Sequence, residues 1–471
     1  MGFILTVIYV FLTIISPQQF GLRWENLHIL QYLAAFIFLL SMTSTSIYTQ
    51  LRTSLQIFLL LGLFGAMAAS EVANGWLGGI VVSWQTFMPS AAVFFFIVLY
   101  ATTTRRLKIL TLAVVAACLV LVVEALCGYY GAYQGEAFVL KQDLSSPDGF
   151  ANQIVRIRGL SFLNDPNDLA QILLIALPLV FIAWRRGRVV ANALMVLAPS
   201  ALLLWAIFLT HSRGALIALA VLGVMVARKN MGTAASIFFT GLAILALFAL
   251  NFTGGRGISA VDGADRLSAW SAGLEMFKSA PFFGVGFGKF TDLNDITAHN
   301  SFVLCLAELG LLGSTLWVAL QVTTVMGLHK IITRDQESQA EPALGPNMER
   351  EELATSLEAP LSPCDSLTAT AVATATPGDI QTSTEFEFHP PVPKQWLVVM
   401  RLAMISSLTT CWFLSRTYEI TMYLILGLST ATLALQRNGA HSPVRNRWVF
   451  PTVAVEVVTI MVIYLMVRVR F

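Results

Sequence analysis

The sequence predicts an all-α, polytopic integral membrane protein with about 12–13 transmembrane helices and a folded extracytoplasmic loop. Three observations predict it. Of 471 residues, 56% are hydrophobic and only 12% charged, against about 25% charged in an ordinary soluble domain. Apolar runs recur along most of the chain, each long enough to cross a hydrocarbon core of about 30 Å. Lys and Arg gather at alternate ends of those runs. The net charge of +2 is too small to suggest a nucleic-acid partner, so membrane lipids are the expected surroundings.

Taken in order, the candidate spans cover roughly 2–15, 27–46, 55–72, 84–101, 107–128, 167–184, 190–210, 213–228, 234–252, 300–328, 396–414, 418–435 and 448–467. The first run, MGFILTVIYVFLTII, lacks a basic n-region and a clear cleavage site, and reads as a retained span rather than a signal peptide. Arg52, Arg105, Arg106, Lys108, Arg185, Arg186, Arg188, Arg228, Lys229, Lys330, Arg334, Arg437, Arg445 and Arg447 all fall on loops of one side. That side is assigned to the cytoplasm, with the N-terminus inside. The opposite face carries two substantial loops, about 129–166 and 253–299, rich in Gly and aromatics and mixed in charge, and read as folded. The stretch 335–395 (with SLTATAVATATPGDIQTS) has few aromatics and cannot bury enough apolar surface to offset chain entropy, so it reads as a disordered cytoplasmic insertion. Cys118, Cys127, Cys305 and Cys411 sit in or beside apolar runs, and Cys364 in a polar loop. With no CxxC or Cys/His spacing, neither a disulfide framework nor a structural metal is expected.

The chemistry-bearing residues concentrate between 156 and 313. His299 and Asn300 open AHNSFVLCLAELGLLG, read as the start of a single long span. The positive dipole end of a helix disfavours imidazolium and leaves a neutral ring able to accept a proton. Glu308 follows nine residues on, about 13 Å deeper along that span, where a structural hydrogen bond to a neighbouring span is expected. An ionisable group in hydrocarbon costs at least ~2.5–3.5 kcal/mol and so calls for a function. Glu456 also lies within a span, with no role assigned from the sequence.

Arg213 stands in FLTHSRGALIALAV, where two apolar runs turn with hardly any loop. It suits either an interfacial anchor whose stem lies along the bilayer or a fixed fork for phosphate. Arg266 opens DRLSAW, an amphipathic helix expected on the outer surface with Leu267, Trp270, Leu274, Met276 and Phe277 as its apolar stripe. A surface pairing with Asp262 or Asp265 is its alternative. Arg256, in TGGRG, reads as part of a flexible loop. Arg156 and Arg158 precede GLSFLNDPNDLAQIL, in which Asn164 to Asp168 have the chemistry of a helix start. These two arginines, and His211 beside Arg213, are further candidate diphosphate ligands. GVGFG at 284–288 has no preceding strand and no following GK[ST], and reads as a tight turn after Pro281.

THSRGA, then DRLSAWSAGLEMFKSAPFFGVGFGKF, then HNSFVLCLAELGLLG, in that order on one face, resembles the O-antigen ligase and O-antigen polymerase family, over roughly 156–328. RGLSFLNDPNDLAQIL is similar to the segment that precedes this core in many members. The resemblance implies a glycosyltransferase of the bacterial inner membrane that needs no metal or other cofactor. It would move a glycan from undecaprenyl diphosphate to a lipid or glycan acceptor in polysaccharide or lipopolysaccharide biosynthesis. Carried over by position, Arg213 and Arg266 would bind the diphosphate and His299 would activate the acceptor hydroxyl, with Asn300 and Glu308 in support. The implied organisation is 1–155 as N-terminal helices and first loop, 156–328 as catalytic core, 329–395 as insertion and 396–471 as C-terminal helices. The alternative class, a polysaccharide or lipid-linked glycan transporter, would show inverted repeats and charges at the bilayer midplane.

Overall fold

The computed structural model describes residues 1–19, 28–42, 54–131, 136–144, 152–254, 260–340, 392–436 and 448–469. The insertion at 341–391 lies outside the described residues, as do Arg52, Arg256, Cys364, Arg437, Arg445 and Arg447.

The described helices are α1 (Gly2–Ile15), α2 (Ile29–Met42), α3 (Leu55–Ala73), α4 (Leu77–Tyr100) and α5 (Thr104–Tyr129). They continue with α6 (Pro166–Leu179), α7 (Val189–Leu209), α8 (Arg213–Ala249) and α9 (Ala260–Ser279). α10 (Ser301–Ala340), α11 (Lys394–Cys411), α12 (Ile420–Gln436) and α13 (Val449–Arg468) complete the set. Every predicted span overlaps one of them. Among the described residues, eight helices are long and apolar enough to cross a membrane, and α1, α2 and α12 are shorter apolar helices. The chain is an all-α, multi-pass membrane protein, with one addition in the loop expected to be folded. There β1 (Val139–Leu144) pairs antiparallel with β2 (Asn152–Ile157), Val139 opposite Ile157.

Two helices reverse on themselves. In α8, Gly232 has φ 78° and ψ 168°, and a Cβ placed on Gly223 would lie 3.2 Å from the Thr240 side chain. Seventeen residues of continuous helix would separate those positions by about 25 Å, so α8 is two antiparallel arms that match the two predicted spans. In α10, Gly310 has φ 59° and ψ −160°. The Phe302 and Trp317 ring centroids are 5.1 Å apart, where a continuous helix would hold them about 22 Å apart. Residues 301–309 are therefore a half-helix folded back on the long arm that begins at Leu311. This corrects the reading of 300–328 as one span. The AELGLLG sequence has the apolar content of an unbroken helix, but Gly310 takes a backbone conformation reserved for glycine. The tip is sealed by backbone bonds: Leu311 N donates to Pro281 O at 2.8 Å and Leu312 N to Phe282 O at 3.1 Å. The long arm continues to Ala340, past the boundary expected at 328.

α9 is amphipathic, as expected, with Ser268 and Glu275 on its exposed face. Trp270, Leu274 and Met276 are buried, and they pack with Phe290, Val303, Leu304 and Ala307 into a second small core. The apolar stripe faces protein. One end of the bundle gathers basic groups: Arg401 lies 3.0 Å from His329, and Arg228 also acts on it. The candidate site occupies the other end.

Candidate functional site

Helix periodicity brings Arg266 and His299 together. The indole Nε1 of Trp270 donates to Ala298 O at 2.9 Å, which ties α9 to the residue before His299. Arg266 precedes Trp270 by one helical turn and shares its face. His299 has φ 49°, unusual for a residue with a Cβ. Asn300 then caps the half-helix, its Oδ1 accepting from Phe302 N at 2.9 Å and Val303 N at 3.1 Å.

The loop between α11 and α12 holds the next residue. Ser301 Oγ donates to Leu414 O at 2.6 Å and accepts from Arg416 N at 2.9 Å, while Thr417 Oγ1 donates to Ser301 O at 2.7 Å. The Arg416 guanidinium in turn grips Asp168 with two bonds, Nε to Oδ1 at 2.6 Å and Nη2 to Oδ2 at 2.5 Å. Asp168 lies in the first turn of α6, whose cap is Asp165, accepting from Asn167 N at 2.7 Å. His299 therefore stands amid charge. Burial pushes its imidazole below the ordinary value, Arg266 and Arg416 push it further down, and Asp165 opposes them. Burial and neighbouring arginines supply the neutral ring that the sequence reading ascribed to the helix dipole.

Arg213 is the first residue of α8, between Ser212, whose Oγ caps the helix by accepting from Ala215 N, and Gly214. Ser212, Gly214 and Ala215 line one small cleft with Arg266 and Asn167, closed by Thr410, Phe413 and Leu414. The segments carrying Arg213, Arg266 and His299 thus converge on one end of the bundle.

The remaining candidates have structural engagements. Arg156 is buried, and its guanidinium donates to Thr210 O at 2.7 Å, Gln142 Oε1 at 3.3 Å and Asn167 Oδ1 at 3.3 Å. That pattern braces the β-hairpin against α6 and α7 and leaves little of the fork for a phosphate. Arg158 donates to Ala137 O at 3.0 Å. His211 is buried at φ 48°, its Nδ1 2.7 Å from Phe252 O. Glu308 bonds both to a neighbouring span and to a connection: its backbone O accepts from Ser70 Oγ of α3 at 2.9 Å, and its Oε1 accepts from Phe290 N at 3.2 Å. The GVGFG stretch is the turn expected, with Gly284, Gly286 and Gly288 all at positive φ.

Two residues missed in the sequence belong to this architecture. Glu71 of α3 accepts from Phe287 N at 3.0 Å and Ser83 Oγ at 3.1 Å, anchoring the same turn. Its signal was a carboxylate inside an apolar run, GAMAASEVANG. Arg416 is the other. Its signal was a lone cation in the short SRTYE connection, on the face where the other site residues lie.

Residues 198–318 match the family model described as O-antigen ligase. No curated protein matches the chain. The matched stretch contains Arg213, Arg266, His299 and the Gly310 reversal, whereas Asp168 and Arg416 lie outside it.

Proposed function

We propose that this member of the O-antigen ligase family transfers a glycan from undecaprenyl diphosphate to an acceptor hydroxyl at the Arg213–Arg266–His299 end of the bundle. Ligase- or polymerase-type glycan transfer is what the family match supports. The observation that carries it is the convergence of a half-buried histidine of lowered basicity with Arg266, beside a cleft that Arg266 shares with the residues flanking Arg213.

In the step proposed, the acceptor hydroxyl gives its proton to His299 as its oxygen bonds to the anomeric carbon. The bond from that carbon to the diphosphate oxygen breaks, and undecaprenyl diphosphate leaves with the electron pair. Arg213 and Arg266 stabilise the charge that grows there, a task for which guanidinium forks are suited without a metal. A positioned base contributes about 10²–10⁴ in rate. Basic residues at the opposite end of the bundle favour the cytoplasm for that end, which supports a site on the extracytoplasmic face of the inner membrane.

The test is lipid and polysaccharide profiling of a deletion strain complemented with variants. Undecorated core in the deletion identifies a ligase, and single repeat units identify a polymerase. Arg213→Ala and Arg266→Ala should each lose charge-assisted bonds of ~1.5–3 kcal/mol, roughly 10- to 150-fold in transfer. Lysine, which keeps the charge and loses the fork, should rescue in part. Full activity of both alanine variants, or inactivation by EDTA that Mg²⁺ restores, would overturn the reading.

A further inference from the structure

Arg416 is attached to the site at two points. Its backbone N donates to Ser301 Oγ at 2.9 Å, two residues beyond His299. Its side chain reaches the other way and takes both oxygens of Asp168, a carboxylate only 4% exposed, three residues past the Asp165 cap. The third nitrogen, Nη1, is 3.6 Å from Glu419 Oε1, within ion-pair range and too long for a good hydrogen bond. A buried ion pair is weak evidence for stability, because well-packed apolar residues often serve as well. A fork–fork pair does fix orientation, since both partners are planar and both bonds must form together. This pair joins the His299 turn to the start of α6, and charges on both sides, Arg416 and Asp165, act on the imidazole.

We propose that Arg416 is a positioning residue of the transfer site: through Asp168 it fastens the His299 turn to the first turn of α6, and it holds a positive charge beside the imidazole. The inference rests on His299 being the base. The charged groups facing His299 are Arg266 from α9, Asp165 from the start of α6 and Arg416 from the 412–419 loop, with Asp168 neutralising part of the last. Burial and the two arginines make the ring less basic, and Asp165 opposes them.

The experiment is a titration of the His299 imidazole by NMR on histidine-labelled, full-length protein in detergent, with H299Q to identify the resonance. Glycan transfer is measured in parallel. R416Q should move the titration midpoint up by about 0.5–1 pH unit, less than the 1–3 units that a directly contacting charge gives. Transfer should fall about 10- to 150-fold, the range for one lost charged bond. R416K should keep the midpoint near that of the wild type and recover part of the transfer. D168N, which frees the fork and keeps the cation, should lower the midpoint and weaken transfer, and it serves if R416Q does not fold. An unmoved midpoint in folded R416Q, or in D168N where only that variant folds, would overturn the inference and leave the base assignment standing. The reverse result, a shifted midpoint together with full transfer by H299Q, would overturn the base assignment and leave the charge placement standing.

Discussion

Substituting Gly310 by Ala separates a reversed α10 from a continuous one by the sign of the effect. In an unbroken exposed helix the change would stabilise by ~0.8–1 kcal/mol, because Ala is the better helix former. In the folded-back structure Gly310 sits at φ 59° and ψ −160°, a region that costs a side-chain-bearing residue about 1–3 kcal/mol. The added Cβ would also stand 2.5 Å from Phe282 C and 2.7 Å from Gly284 N. Both are backbone atoms, held by the Leu311–Pro281 and Leu312–Phe282 bonds, so relief requires moving the 281–286 turn. Overpacking of that kind adds about 1–3 kcal/mol. The sum is a loss of roughly 2–6 kcal/mol, centred on the half-helix that carries His299. The assay is apparent thermal unfolding of detergent-solubilised protein at a fixed scan rate, since such unfolding is commonly irreversible, with transfer measured on the same preparation. A lower midpoint and lost transfer are expected. An unchanged or raised midpoint with full transfer would refute the reversal and the placement of His299 that follows from it.

Two further outcomes follow from the site. His299 must be neutral to act as a base and its folded value lies below the ordinary one, so transfer should be flat around neutral pH and fall tenfold per unit only at pH below the usual imidazole range of about 6.5. Arg266→Gln removes the second-largest cause of the depression and should move that acidic limb to higher pH; a limb that stays put separates Arg266 from the base. Sidedness is tested by cysteines at Ser268, exposed on α9, and at Asn230, exposed at the α8 reversal. An impermeant maleimide should label the first in intact spheroplasts and spare the second, and the opposite pattern would invert the proposed topology.

The sequence carried the spans, because a ~20-residue apolar run has little choice but to become a helix in lipid. It also carried the placement of THSRG, DRLSAW and HN on one face, since each falls in a connection between apolar runs on the same expected side. What it did not carry were reversals and long-range brackets. Gly232 falls after Arg228 and Lys229, so a turn there was legible from the charges. Gly310 is flanked by Leu309, Leu311 and Leu312, and nothing local distinguishes its half-helix from one continuous span. The stripe on α9 was legible, but amphipathicity says only that one face is apolar. Whether lipid or Val303 and Ala307 covers it is a tertiary fact. Asp168 was read as part of a helix start, yet its partner Arg416 lies 248 residues away. A single sequence gives no pairing at that range. The β-hairpin left no such signal, since NQIVRI does not alternate and buries Ile154 and Arg156 on one face and Ile157 on the other.

The most direct test of the central claim is transfer by purified protein from an undecaprenyl-diphosphate-linked donor to acceptor in excess EDTA, comparing wild type, His299→Ala and His299→Gln, with donor binding measured alongside. The account predicts metal-free turnover by the wild type. It predicts losses of about 10²–10⁴ in both variants, the scale of a missing base, with donor affinity retained because the arginines remain. A fully active His299→Gln protein would contradict it, since glutamine keeps a hydrogen bond and cannot take the proton.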